Sequence, residues 1–289
     1  MKKSIIFVII SLFSVTTFAQ HFYAGLLAGG SNYLGDLSEN SSRIIIGETK
    51  LAGGLFAGYQ FNDFAELKLG VNYARLSGSD ANAKDELIQA RNLSFFTNVF
   101  EFSLRGEWNI MGFQPYNYSR PFSPFIFGGI AGFKFDPQTE YLGQKVSLQP
   151  LGTEGQGMPD RSAKYKLFDL AFPFGLGAKY LLSENWTLGI EFGARYTLSD
   201  YVDDVGGTYV NYEDLFATNG ELTAALGNRE GEYSGKPPVL VPTGTQRGDQ
   251  KSHDLYFIAG LTITYNFIDS GMLGSRKRIK RRKTGCPTD

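Results

Sequence analysis

The sequence predicts an all-β fold, an eight-stranded antiparallel transmembrane β-barrel with short periplasmic turns and long extracellular loops. Three observations carry that expectation: an export signal at the N-terminus, apolar residues recurring at every second position in segments of about ten residues, and connections that alternate between short and long. Composition agrees. The 289 residues include 35 Gly, only 11 Pro and 15% aromatics, which excludes collagen-like, coiled-coil and disordered classes. Charged residues make up 20%, below the roughly 25% of an average soluble domain. A mean hydropathy of −0.18 excludes a bundle of transmembrane helices. One cysteine, Cys286, leaves no disulfide framework, and two histidines make a histidine-based metal centre improbable.

The elements follow in chain order. Lys2 and Lys3 precede the apolar run Ile5 to Phe13, and Thr17-Phe18-Ala19 supplies the small residues of a cleavage site. Residues 1–19 therefore read as a signal peptide, because the run is far shorter than the ~20 residues a membrane helix needs. No cysteine follows the run, so the chain is not a lipoprotein. Residues 20–268 read as the barrel. Strands are expected at Phe22 to Ala28, Leu51 to Phe61, Ala65 to Tyr73, Phe100 to Trp108, the Gly-rich Phe125 to Phe135, Phe168 to Tyr180, Leu188 to Leu198 and Phe257 to Phe267. Asn62-Asp63, Met111 to Phe122 and Ser183-Glu184-Asn185 connect them on one side, and the longer stretches 29–49, 77–92, 136–165 and 200–254 on the other. Both ends of the barrel then fall on the periplasmic side.

The alternation leaves one face polar, with Glu66, Lys68, Glu101, Arg105, Glu107, Asp169, Lys179, Glu191 and Arg195. Such charges suit either the outside of a soluble barrel or the lumen of a membrane barrel. Aromatic residues at strand ends favour the membrane: Tyr59, Phe61, Tyr73, Trp108, Tyr180, Trp186, Tyr196, Tyr265 and Phe267 form two girdles. An eight-stranded barrel is just wide enough for side chains to fill it. The nine charges are accordingly expected to neutralise one another as an ion-pair plug rather than to line an open pore.

Segments of three long connections carry a resemblance. Gly30-Ser31-Asn32-Tyr33-Leu34-Gly35-Asp36-Leu37 follows the first strand, Gly152-Thr153-Glu154-Gly155-Gln156-Gly157 lies in the third long loop, and Ser199-Asp200-Tyr201-Val202-Asp203-Asp204-Val205-Gly206-Gly207-Thr208-Tyr209 opens the fourth, which closes with Arg247-Gly248 shortly before His253-Asp254. With the signal peptide and the barrel pattern, the chain resembles a family of Bacteroidota outer-membrane barrels that includes PorG, a component of the type IX secretion system. Asn32, Tyr33, Gly35, Asp36, Asp200, Asp203 and Asp204 are the positions that carry it most specifically. The resemblance implies an outer-membrane anchor for a periplasmic ring made of a PorK/GldK-like lipoprotein and a PorN/GldN-like protein. The family also holds uncharacterised paralogues.

Charge along the chain is compatible with such a partner. Residues 269–289 read as a periplasmic tail with seven bases, Arg276, Lys277, Arg278, Lys280, Arg281, Arg282 and Lys283, against Asp269 and Asp289, a net of +5. Setting these aside with Lys2 and Lys3, from 28 bases and 29 acids, leaves 19 against 27, a net of −8. A basic tail can contact lipid head groups or peptidoglycan without specificity, or dock on an acidic periplasmic partner. Nucleic acid is not an expected partner of an exported tail, whereas outer-membrane lipid is. Cys286 is compatible with an intermolecular disulfide or an incidental thiol. Asp203-Asp204 and His253-Asp254 flank the fourth long loop, but no Gly-x-Ser-x-Gly, His-Glu-x-x-His or phosphate loop accompanies them, so neither enzymatic activity nor a cofactor is expected. The alternative function is a surface protein that binds partners or small solutes through its long loops.

Overall fold

The computed structural model describes residues 21–38, 46–249 and 253–268. The expected signal peptide, the basic tail from Arg276 to Lys283 and Cys286 lie outside the described residues. Ten strands form: β1 (His21–Leu34), β2 (Lys50–Gln60), β3 (Ala65–Ser79), β4 (Ser94–Asn109), β5 (Phe122–Lys134), β6 (Gln138–Tyr141), β7 (Gln144–Ser147), β8 (Phe168–Leu181), β9 (Trp186–Thr197) and β10 (Leu255–Asn266). Eight of them close an antiparallel barrel, each pairing its neighbours in the order β1, β2, β3, β4, β5, β8, β9, β10 and back to β1. Closure pairs every backbone edge within the barrel, which is what a strand needs in a medium without water.

The alternation has the sign of a membrane barrel. On β3, Leu67, Leu69, Val71 and Tyr73 point outward and are exposed, while Glu66, Lys68 and Asn72 between them are buried. Outside, Leu26, Leu55, Phe102, Ile126, Ile130, Leu176, Ile190 and Leu261 continue the apolar band around the barrel. Water would not solvate such a surface, and a bilayer does. Aromatic pairs bound it: Phe22 and Tyr59 at 4.8 Å, Phe64 stacked on Trp108 at 5.8 Å and Trp186 against Tyr265 at 5.2 Å at the short-turn end, and Tyr73 against Phe100 at 5.2 Å toward the long loops.

Three of the expected elements change. Strand β1 runs to Leu34, so Asn32 and Tyr33 belong to the strand and not to a loop. Strands β3 and β4 extend to Ser79 and back to Ser94, through residues read as loop. The reason is an inversion of the pattern. Beyond Tyr73 the inward positions turn apolar (Ala74, Leu76, Phe95, Val99, all buried) and the outward ones polar (Arg75, Ser77, Asn98), because there the wall has left the bilayer and encloses a core instead of a polar lumen. The third change is in the long connections, which are folded. The β5–β8 connection carries the β6–β7 hairpin. The β3–β4 and β9–β10 connections hold short helices: α1 (Glu86–Arg91), started by the Asp85 side chain accepting the Leu87 N–H at 2.9 Å, then α2 (Tyr212–Asn219), α3 (Glu221–Gly227) and α4 (Glu230–Ser234).

Candidate functional site

The lumen is the first half of the site. Strands β3, β4, β8 and β9 send four carboxylates (Glu66, Glu101, Glu107, Glu191) and four bases (Lys68, Arg105, Lys179, Arg195) inward, all buried and equal in charge. Arg105 meets Glu191 at 3.0 Å, Lys179 meets Glu66 at 2.8 Å and Glu107 at 3.0 Å, and Lys68 pairs with Glu107 and lies 3.6 Å from Glu191. Nearer the long loops Arg195 Nε donates to Glu101 at 3.2 Å, and Glu101 also accepts from Tyr256 Oη at 2.6 Å and Asn72 Nδ2 at 2.7 Å. Asn109 donates to Glu66 at 2.6 Å.

Strands β2 and β5 contribute aromatic faces to the same space rather than charges. Lys68 lies 4.5 Å over Phe56, Arg105 4.6 Å over Phe127 and Lys179 4.6 Å over Phe125, so each cation has a carboxylate on one side and a ring on another. Glycine makes the room. A Cβ on Gly193 would sit 2.6 Å from the Phe127 ring and 2.7 Å from Arg195 Nη1. Eight of the nine expected plug residues therefore meet. Asp169 does not: it lies half-buried near the long-loop end of β8, where its carboxylate accepts the Leu170 N–H at 2.7 Å. Alternation places Asp169 on the inward face, but its height along the strand, above the ion pairs, is not visible in the pattern.

Above the network the long loops close the barrel. Tyr33, Leu37, Leu76, Phe95, Val99, Phe133, Phe135, Val202, Val205, Leu226 and Ile258 form one buried core, continued outward by Tyr165 stacked on Tyr201 at 4.8 Å. Two arginines, neither of them an expected site residue, hold the loops together. Arg91 donates to the Asp36 carbonyl at 2.8 Å and the Arg247 carbonyl at 2.7 Å, and forms an ion pair with Asp80 at 2.7 Å. Arg247 donates to Glu154 at 3.0 Å and to the Asp204 carbonyl at 2.8 Å. Four long connections are thus tied through two guanidinium groups, the kind of multidentate donor that suits the task. Arg247 and Glu154 lie in loop segments that carry the resemblance, but no periodicity pairs them or points to Arg91.

The motif residues converge in this cap. Tyr33 Oη donates to Asp254 at 2.5 Å, and the other Asp254 oxygen accepts the Val202 N–H at 2.8 Å. Asp203 accepts the Val205 N–H at 2.9 Å, and Asp204 accepts from Thr153 at 2.5 Å and Tyr165 at 2.6 Å. Asp36 accepts the Asp249 N–H at 3.0 Å, and the Gly35 N–H donates to Ser38 at 3.1 Å. Asn32 donates to Thr49 at 3.1 Å. Burial raises the carboxyls here. Asp254 is pushed up to about 7 and Asp204 to about 6 against the pull of their hydrogen-bond donors. Asp200 is raised to about 8 by burial and by Asp254 and Asp36, and Asp203 is raised by burial and by the same two neighbours. Among the described residues no group of three or more His, Cys, Asp or Glu is placed to hold a metal ion.

The family model of a domain of unknown function, DUF6089, matches residues 2–223. No curated protein matches the chain. Among solved structures, the chain is similar to the neisserial surface protein A, with 10% identity, 86% of this chain and 100% of that chain covered and a TM-score of 0.42. A major outer membrane protein of Thermus thermophilus matches at 14% identity, with 86% and 100% covered and a TM-score of 0.42. The N-terminal β-barrel domain of Pseudomonas aeruginosa OprF matches at 12% identity, with 85% and 97% covered and a TM-score of 0.36.

Proposed function

The chain belongs to the DUF6089 family, and from its closed lumen and segregated charge we propose that it is a non-conducting outer-membrane anchor of the type IX secretion system. In this reading its short turns and tail face the periplasm and hold a ring of a PorK/GldK-like lipoprotein and a PorN/GldN-like protein. The observation that carries the reading is the obstruction of the lumen. Eight mutually paired charges fill the barrel and a hydrophobic core lies over them, so a barrel of this width offers solutes no ready path and is suited to holding something at the membrane. The last described residue, Ile268, leaves β10 at the short-turn end. In sequence the basic stretch from Arg276 to Lys283 follows, while the rest of the mature chain is acidic.

A second reading, a surface protein acting through its loops, draws support from the order of the cap and from exposed Phe216, Leu222, Tyr233 and Leu240 on it. One experiment separates the two. Replacing Arg276, Lys277, Arg278, Lys280, Arg281, Arg282 and Lys283 with Gln is expected to leave insertion intact and to reduce recovery of periplasmic partners from solubilised envelopes by about tenfold or more, since a basic tail meets an acidic partner through charge. Deleting the exposed tip, residues 236–244, is expected to leave recovery unchanged. The opposite pattern, capture lost with the tip and kept with the neutral tail, would favour the surface reading.

A further inference from the structure

The outward face of the β3–β5 wall changes character where it leaves the apolar band. Below lie Leu69, Val71 and Phe102, then the girdle pair Tyr73 and Phe100, with Tyr73 Oη donating to Asn98 at 2.9 Å. At and above that level three exposed cations share the face. Lys134 stands directly beside Phe100 in the β4–β5 register. Arg75 and Lys145 lie 5.2 and 5.6 Å over the ring of Phe96, four positions along β4 from Phe100. None of the three forms an ion pair among the described residues, and two acids lie near them: Glu140, across from Lys145 on the hairpin, and half-buried Asp136, two residues past Lys134, which accepts from Gln138 and Ser147.

Phe96 to Phe100 spans roughly 13 Å of strand, so the three charges cover the breadth of a lipid head group. The position along the wall matters as much as the sign. Apolar side chains, then aromatic rings, then cations is the sequence of environments a lipid presents as chain, glycerol or sugar region, and phosphate. Two of the cations are held over an aromatic ring, which limits their freedom and keeps them on the lipid-facing side. Arginine adds a fork that can take two oxygens of one phosphate.

We propose that this surface binds the head group of a phosphorylated anionic lipid in the leaflet next to the long loops, with Arg75, Lys134 and Lys145 contacting phosphate and Phe96 and Phe100 packing against the region beneath it. The proposal rests on the reading of the chain as a membrane barrel. Such a lipid would fix the height and tilt of the barrel at a sector where the wall projects past the bilayer.

The test uses the full chain in neutral detergent, with diphosphorylated lipid A added in mixed micelles and bound lipid counted by native mass spectrometry. A triple variant, Arg75→Gln with Lys134→Gln and Lys145→Gln, is expected to bind at least tenfold more weakly, since each charge near an anionic surface is worth about fivefold. A control, Arg120→Gln with Lys236→Gln, removes two exposed cations elsewhere and is expected to stay within twofold of the unaltered protein. The tail is common to all three and supplies an equal background. Phosphatidylcholine is expected not to discriminate the variants, and inorganic pyrophosphate not to compete at matched concentration. Equal lipid A binding by the triple variant, an equal loss in the control, or full competition by pyrophosphate would each overturn the proposal. Heat-modified mobility in vesicles checks the barrel separately: insertion with no variant effect discards the patch alone, whereas no insertion in any vesicle discards the membrane barrel as well.

Discussion

A barrel carrying Arg195→Met is expected to unfold at a clearly lower temperature than the unaltered protein when followed by heat-modified gel mobility. Arg195 and Glu101 have fully buried side chains 3.2 Å apart. Removing the guanidinium leaves Glu101 with only the neutral donors Tyr256 and Asn72. Breaking one side of a buried pair costs about 3–5 kcal/mol, because the remaining charge stays buried without its ion-pair partner. A second variant separates charge from packing. Adding Glu101→Gln to Arg195→Met removes the stranded charge while keeping a carbonyl oxygen for Tyr256 or Asn72, and is expected to recover most of the loss. A single variant as stable as the unaltered protein, or a double variant no better than the single one, would show that the pair does not hold the barrel.

The cap is expected to open as pH rises. Asp200, Asp203, Asp204 and Asp254 all have carboxyls raised above the ordinary range of about 3.9, to about 8 for Asp200, 6 for Asp204 and 7 for Asp254. A carboxyl whose folded value is raised favours the folded form fully below its unfolded value, and that contribution is lost as pH climbs through the folded one. The window therefore runs from about 4 to about 8. Facing these groups are Tyr33, Asp36, Glu154, Asp249 and the guanidinium of Arg247, and the nearest arginines are already engaged with Asp80 and Glu154. Cleavage within the β9–β10 loop by a broad-range protease, normalised to a denatured control, is expected to be about tenfold or more faster at pH 8.5 than at pH 5, since each pH unit separating the folded from the unfolded value of one carboxyl is a factor of about ten in the equilibrium. Asp203→Asn keeps an acceptor for the Val205 N–H, cannot ionise, and is expected to flatten the dependence. Equal cleavage at both values, or faster cleavage at pH 5, would contradict the assignment.

The legible part of the fold was the part inside the bilayer. From Ala65 to Tyr73 every second residue is apolar because lipid takes one face and the lumen the other, so a period of two is enough to place the strand and to sort Glu66 and Lys68 inward. Past Tyr73 the strand continues but the two environments exchange, and Leu76 inward beside Arg75 outward reads as a broken pattern. The same exchange hid Asn32 and Tyr33 within β1. Lumen partners were legible as a set and not as pairs: that Arg195 chooses Glu101 while Arg105 takes Glu191 depends on heights along tilted strands. The aromatic wall of Phe56, Phe125 and Phe127 was missed because an inward Phe breaks the polar face it belongs to. Arg91 and Arg247 hold the cap through contacts spanning more than 90 residues of sequence, which no local signal encodes.

Planar-bilayer recording of the purified full chain tests the central claim most directly. With the eight lumen charges paired and the cap in place, the account gives a membrane that stays at baseline under applied voltage, with no stable unitary steps at neutral pH. Arg195→Met, which disturbs the network without removing the cap, is expected to add at most brief, irregular events. Large, stable unitary conductances from the unaltered protein would contradict a closed barrel, and with it the reading of this chain as an anchor.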